Sequence, residues 1–173
     1  MNSLFEFLRN KKSLAFLFLL FAILNFSLTY FMPKDNALDL KFAYTVEEAY
    51  LLLGQLNQDQ REFYSVGVWV LDLPYMLVYT LLFAGILYRL WDRKGVMWLP
   101  IYVLLADFCE NIYILKILHN YPSHLADSVV IASILTTAKW IFVVMVLLVI
   151  IGGFMNRYFQ TNFSSDRSKE INA

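Results

Sequence analysis

Hydrophobic residues along this chain gather into four long runs, and most polar residues fall in the breaks between them. The runs cover residues 13–31, 65–90, 97–118 and 125–155. At about 1.5 Å of rise per residue, a helix of such length crosses a hydrocarbon core about 30 Å thick. The pattern predicts an all-α membrane protein: a four-transmembrane-helix bundle forming one membrane domain over residues 1–173. The breaks after residues 90 and 118 are tight, the second carrying Pro122, and residues 156–173 form a polar tail expected to fray. Only the break at residues 33–64 is long.

That long break has its own periodicity. Thr45-Val46-Glu47-Glu48 reads as a capping box, with Val46, Ala49, Tyr50 and Leu53 following at helical spacing and Gly54 as a stop. A short amphipathic helix on the membrane surface or on the bundle is expected there, with a second helical piece over residues 59–64. Together they would form a lid at the top of the bundle.

Composition sharpens the class. The chain of 173 residues is 60% hydrophobic and 17% aromatic, with a mean hydropathy of +0.56, too apolar for an ordinary soluble domain. The formal net charge is zero, so nothing points to nucleic acid. The single cysteine, Cys109, excludes an intrachain disulfide and is read as a small packing residue. The first run follows Arg9, Lys11 and Lys12 and ends in Tyr30-Phe31-Met32-Pro33 without a small-x-small cleavage site, so it reads as a retained signal anchor. Arg9, Lys11, Lys12, Arg89, Arg93, Lys94, Arg157, Arg167 and Lys169 flank one side of the runs, and the acidic long loop flanks the other. The positive-inside rule then places both termini in the cytoplasm and the loop outside, in a cell membrane taken to be a bacterial inner membrane.

The candidate chemistry lies where the apolar pattern is broken. Asp107, Glu110 and Asn111 stand at i, i+3 and i+4 inside the third run and share a helical face. In the second run Ser65, Trp69, Asp72, Tyr75, Met76 and Tyr79 share a face, and Pro74 is expected to kink that helix. The fourth run holds Thr136, Lys139 and Trp140, and the first holds Asn25 one turn before Thr29. An ionised side chain costs about 2.5–3.5 kcal/mol at the centre of a spanning helix, so these groups are expected to converge. Lys139 is the natural counter-ion for Asp107 or Glu110, and three carboxylates against one lysine leave an excess of negative charge. Asp72, Asp107 and Glu110 are the candidate catalytic groups. Asn111, Lys139, Trp69, Tyr75, Tyr79, Trp140, Asn25 and Thr136 are the candidate ligand contacts.

Other groups carry less. Lys116 is expected to snorkel. His119, His124 and Asp127 at the helix ends read as interfacial caps, and no metal is expected. Arg61 stands either over the cavity mouth or exposed in the loop. There is no nucleotide loop, HExxH or GxSxG, so no cofactor is named.

With Thr45-x-x-Glu48, Arg61-x-x-Tyr64, Asp72-x-Pro74, Asp107-x-x-Glu110-Asn111 and Thr137-x-Lys139-Trp140 spread over most of its length, the chain resembles a set of uncharacterised small bacterial four-span membrane proteins. In topology it is also similar to the four-span sterol isomerase and sigma-2 receptor group, whose histidine and glutamate pattern is not found here. The first resemblance implies the topology and the site, and no substrate. Three functions fit these residues. The leading one is an intramembrane pocket that binds an amphipathic lipid-like molecule, such as a membrane lipid, and acts on it, if at all, by proton transfer. The second is a component of proton- or cation-coupled transport, which would need a homo-oligomer. The third is an accessory subunit with the ion pair as an internal lock.

Overall fold

Local sequence dictates where each helix starts and stops. In the computed structural model, which describes residues 2–171 and the side chains of 4–160, the described chain is all-α. α1 (Asn2–Arg9) and α2 (Lys11–Phe31) are separated only by Asn10, whose side chain accepts from the Lys12 N–H and caps α2. α3 (Val46–Gly54) begins at a reciprocal capping box. The Thr45 hydroxyl accepts from the Glu48 N–H at 3.2 Å, and the Thr45 N–H donates to Glu48 Oε2 at 2.8 Å. α4 (Gln58–Gly67) begins at a second box, Asn57 with Gln60, which the sequence reading did not single out. α5 (Leu73–Trp91) ends at Asp92, which takes a left-handed conformation (φ 52°) and sends its N–H to the Tyr88 carbonyl. α6 (Trp98–Asn120) and α7 (Ala126–Ile171) complete the order.

Among the described residues, three helices are long and apolar enough to cross a membrane: Lys11–Phe31, the continuous Gln58–Trp91 formed by α4 and α5, and Ala126–Gln160 of α7. α6, with 23 residues, carries Asp107, Glu110, Asn111 and Lys116 and does not belong to this set. α7 also continues to Ile171, well past the polar tail expected to begin at residue 156. Arg167 and Lys169 lie outside the residues whose side chains are described.

The Gln58–Trp91 helix is interrupted at Val68–Asp72 by one π-helical turn, in which the Leu73 N–H reaches back five residues to the Val68 carbonyl. Pro74 follows at once. Its ring lacks an N–H and would collide with the carbonyl four residues earlier, and a wider turn relieves that collision. The irregularity expected at Pro74 therefore takes the form of an extra-wide turn placed just before it.

α6 and α7 pack along their length, and α5 lies against both. α2 leans on α5, and Leu17 is its one buried residue among those described. At the end where α2 finishes, the 33–64 segment folds inward. Leu38, Leu53 and Tyr64 are fully buried there with Ile114, Ile117 and Val129. Its backbone is stapled to α7: the Tyr44 N–H donates to Ser133 Oγ at 3.0 Å, and Thr137 Oγ1 donates to the Phe42 carbonyl at 2.7 Å. Burial pushes the Tyr44 phenol above its ordinary range, so that this loop group stays neutral.

At the opposite end α1 presses on α5. A Cβ at Gly85 would meet Leu14 Cδ2 at 2.5 Å and the Leu8 carbonyl oxygen at 3.2 Å, the latter being backbone that cannot swing aside. Gly85→Val is expected to destabilise the protein by about 1–3 kcal/mol. Gly95→Ala, with nothing within 4 Å of the added carbon, is expected to stay within about 0.5 kcal/mol of the parent. Thermal melting of both variants in the same lipid discs checks the pair.

Candidate functional site

The facing surfaces of α5, α6 and α7 decide which polar groups meet. Asp107, Glu110 and Asn111 fall on the buried face of α6, with Glu110 at 0% exposure. Lys139 projects from α7 between the two carboxylates, 2.7 Å from Glu110 Oε2 and 3.3 Å from Asp107 Oδ1. Its third contact is 3.1 Å to the backbone carbonyl of Asp39, a residue of the inward-folded loop. The counter-ion expected for one carboxylate thus serves two, together with a carbonyl a hundred positions away in sequence.

Each carboxylate has a further partner. Thr136 Oγ1 donates to Glu110 Oε1 at 2.7 Å, and the Tyr79 hydroxyl donates to Asp107 Oδ2 at 2.9 Å. Asn111 Nδ2 donates to Asp72 Oδ2 and also touches the Met76 sulfur at 3.7 Å. On the α2 side, Asn25 Nδ2 donates to the Tyr75 hydroxyl at 3.2 Å. A buried ion pair of this kind holds where the remaining lone pairs and protons are hydrogen-bonded. Here Glu110 Oε1 and both Asp107 oxygens are, while Glu110 Oε2 is met by the Lys139 ion pair alone and the neighbouring Trp140 indole N–H is buried without a partner.

Beside this network lies a cavity of about 380 Å³, within the roughly 300–1,000 Å³ typical of small-molecule sites. Asp39, Asp72, Asp107 and Lys139 mark its polar part. Phe21, Tyr75, Tyr79, Phe83, Trp140, Val143 and Val146 form its apolar walls. Asn25 and Thr29 of α2 and Leu147 of α7 also line it while exposed at the protein surface, so the cavity communicates sideways between α2 and α7.

The candidate residues therefore divide. Asp72, Asp107, Lys139, Tyr75, Tyr79, Trp140 and Asn25 face the cavity. Glu110, Asn111 and Thr136 are buried and engaged with their protein partners, away from the cavity lining. Trp69 does not join the site: it is 54% exposed and borders an outer groove with Lys116 and Tyr121. An α-helical wheel places Trp69 beside Asp72, but the π turn that contains both residues swings it away.

Among the secondary candidates, Arg61 donates to the carbonyls of Leu53 and Leu56 and stacks over the Tyr121 ring at 4.2 Å. It is thus a clamp on the end of α3, neither over the cavity mouth nor free in the loop. His124 stacks on Tyr50 at 3.9 Å. Cys109, read as a packing residue, is exposed on the outer face of α6.

Sequence reading missed Asp39. The Leu38-Asp39-Leu40 turn is held because the Tyr64 hydroxyl donates to Asp39 Oδ1 at 2.6 Å while accepting from the Leu38 N–H at 3.0 Å. The available signal was a carboxylate inside the apolar stretch Ala37-Leu38-Asp39-Leu40, in a loop that otherwise had no reason to be apolar. No protein-family model, curated protein or solved structure matches the chain.

Proposed function

We propose that this is a four-span protein of the bacterial inner membrane, with α6 as the fourth spanning helix and both termini cytoplasmic, and that it binds an amphipathic lipid-like molecule in the cavity between α2, α5 and α7. α6 reads as a span because its two carboxylates turn inward onto α5 and α7, which is where a spanning helix carries them, while Lys116 is exposed near the helix end, where it can snorkel. The basic ends of the helices and the acidic 33–64 loop support the orientation. α3 then belongs to the outer loop.

One observation carries the binding reading. The cavity has apolar walls, a charged patch on one side, and an opening toward the lateral surface, where a molecule with a polar head and an apolar tail would enter from lipid. Beyond Lys139 the α7 side of the cavity is apolar through Val143, Val146 and Leu147, which favours a blind pocket over a transport path. Within it Asp107 and the Tyr79 hydroxyl stand 2.9 Å apart, a pair able to move a proton at the head of a bound molecule.

The test is co-purification. Protein extracted in native lipid discs, delipidated and examined by native mass spectrometry is expected to retain one amphiphile. Val143→Trp, which fills the cavity, is expected to retain it about tenfold less or worse, equivalent to ~1.4 kcal/mol. Equal retention by both proteins, or none by either, overturns the reading and leaves the ion-pair lock.

A further inference from the structure

Lys139 is the one cation buried at the cavity among the described residues, and an ammonium has three protons to give. All three are accounted for by Glu110, Asp107 and the Asp39 carbonyl. The Tyr79 hydroxyl proton goes to Asp107, and the Asn111 amide is spent on Asp72 and Met76. Among the described residues the buried charged donors at the cavity are thus spent, and what remains unpartnered there is neutral, the buried indole N–H of Trp140.

Acceptors, by contrast, are left over. Asp72 uses Oδ2 for Asn111, and Asp39 uses Oδ1 for Tyr64; their second oxygens have no donor among the described residues, and both residues line the cavity. Asn25, Thr29 and Tyr75 add neutral groups on the α2 side, with no charge to offset an anion. Lys34 also borders the cavity but is exposed in the loop after α2, where its ammonium keeps its water.

Resting on the pocket reading above, we propose that the ligand carries a hydrogen-bond-donating cationic head, a primary ammonium on an apolar chain, received by Asp72 and Asp39 and not by Lys139. An ammonium supplies the positive charge that four carboxylates around one buried lysine leave wanting. It also supplies donors to the two open carboxylate oxygens. A phosphate or carboxylate head would bring further acceptors to a wall that already has too many. Lys139 is then a positioning residue that holds Asp107 and the Asp39 loop in place.

Four amphiphiles with the same tail separate the head chemistries: dodecylamine, dodecanol, dodecanoate and dodecyl phosphate. Each is titrated into the delipidated protein in zwitterionic lipid discs, and the melting midpoint is followed, since a ligand that binds only the folded state raises it. Dodecylamine is expected to raise the midpoint progressively, with the logarithm of its concentration once above Kd, dodecanol less, and the two anions not at all. The response is expected to disappear in Val143→Trp and to fall about tenfold in Asp72→Asn, which keeps an acceptor for Asn111. Asp39→Asn serves as the second variant and is expected to weaken the response in the same direction. If dodecanoate or dodecyl phosphate stabilises the wild type as well as the amine does, and Val143→Trp abolishes that effect, the ammonium proposal fails while the pocket stands, with the head at Lys34. An amine response untouched in both carboxylate variants also overturns the proposal. If all four act alike on the wild type and on Val143→Trp, they act through the bilayer, and the pocket reading itself fails.

Discussion

Lys139→Met is expected to destabilise the folded protein by about 3–5 kcal/mol, the cost of leaving a buried charge without its partner. The substitution strands Glu110, which has no exposure, and Asp107, at 6%, and frees the Asp39 carbonyl to lose its donor. The same physics predicts a rescue. Because a buried ion pair can be replaced by uncharged groups at little net cost, Lys139→Met combined with Glu110→Gln and Asp107→Asn is expected to recover most of the loss. Melting in lipid discs of the single, double and triple variants forms the cycle. A single variant as stable as the wild type, or a triple variant no better than the single, would show that Lys139 is not what holds the two carboxylates.

Tyr64→Ala is expected to cost about 3–5 kcal/mol, comparable to removing a large aromatic from a packed core. Tyr64 is fully buried, and its hydroxyl bridges the Leu38 N–H and the Asp39 carboxylate. Tyr64→Phe keeps the ring and removes only the bridge, leaving a buried N–H unpaired, for about 1–3 kcal/mol. Tyr64→Phe carries a second consequence that a purely structural role would not produce. It releases Asp39 from its position at the cavity, so amine binding is expected to weaken in protein that is still folded. Hydrogen exchange at Leu38, read alongside melting, separates loss of the bridge from loss of the fold.

The helices were legible because their signals are local. A capping box involves residues three apart, and the apolar runs are long enough that helix is the one structure that satisfies the backbone inside lipid. The clustering of Asp107, Glu110 and Asn111 on one face follows from helical spacing alone, and the expectation that Lys139 meets a carboxylate follows from the cost of an unpaired charge in a spanning helix. The end of α7 was less legible, since polar composition after residue 156 signals solvent and does not by itself break a helix.

What the sequence determined by itself is therefore an all-α chain with apolar helices and charges forced inward, because hydrophobic run length and i, i+4 spacing act within one helix. Tertiary structure alone decided which groups face the cavity. Trp69 leaves the site because a π turn relieves the proline clash and rotates the helix locally. Asp39 enters it because Tyr64 and Lys139 seize a loop turn from elements 25 and 100 positions away. The ammonium of Lys139 is engaged on all sides because α6 and the Leu38–Leu40 turn converge on it with three acceptors. Such choices depend on contacts between distant segments, and no local pattern of the chain encodes them.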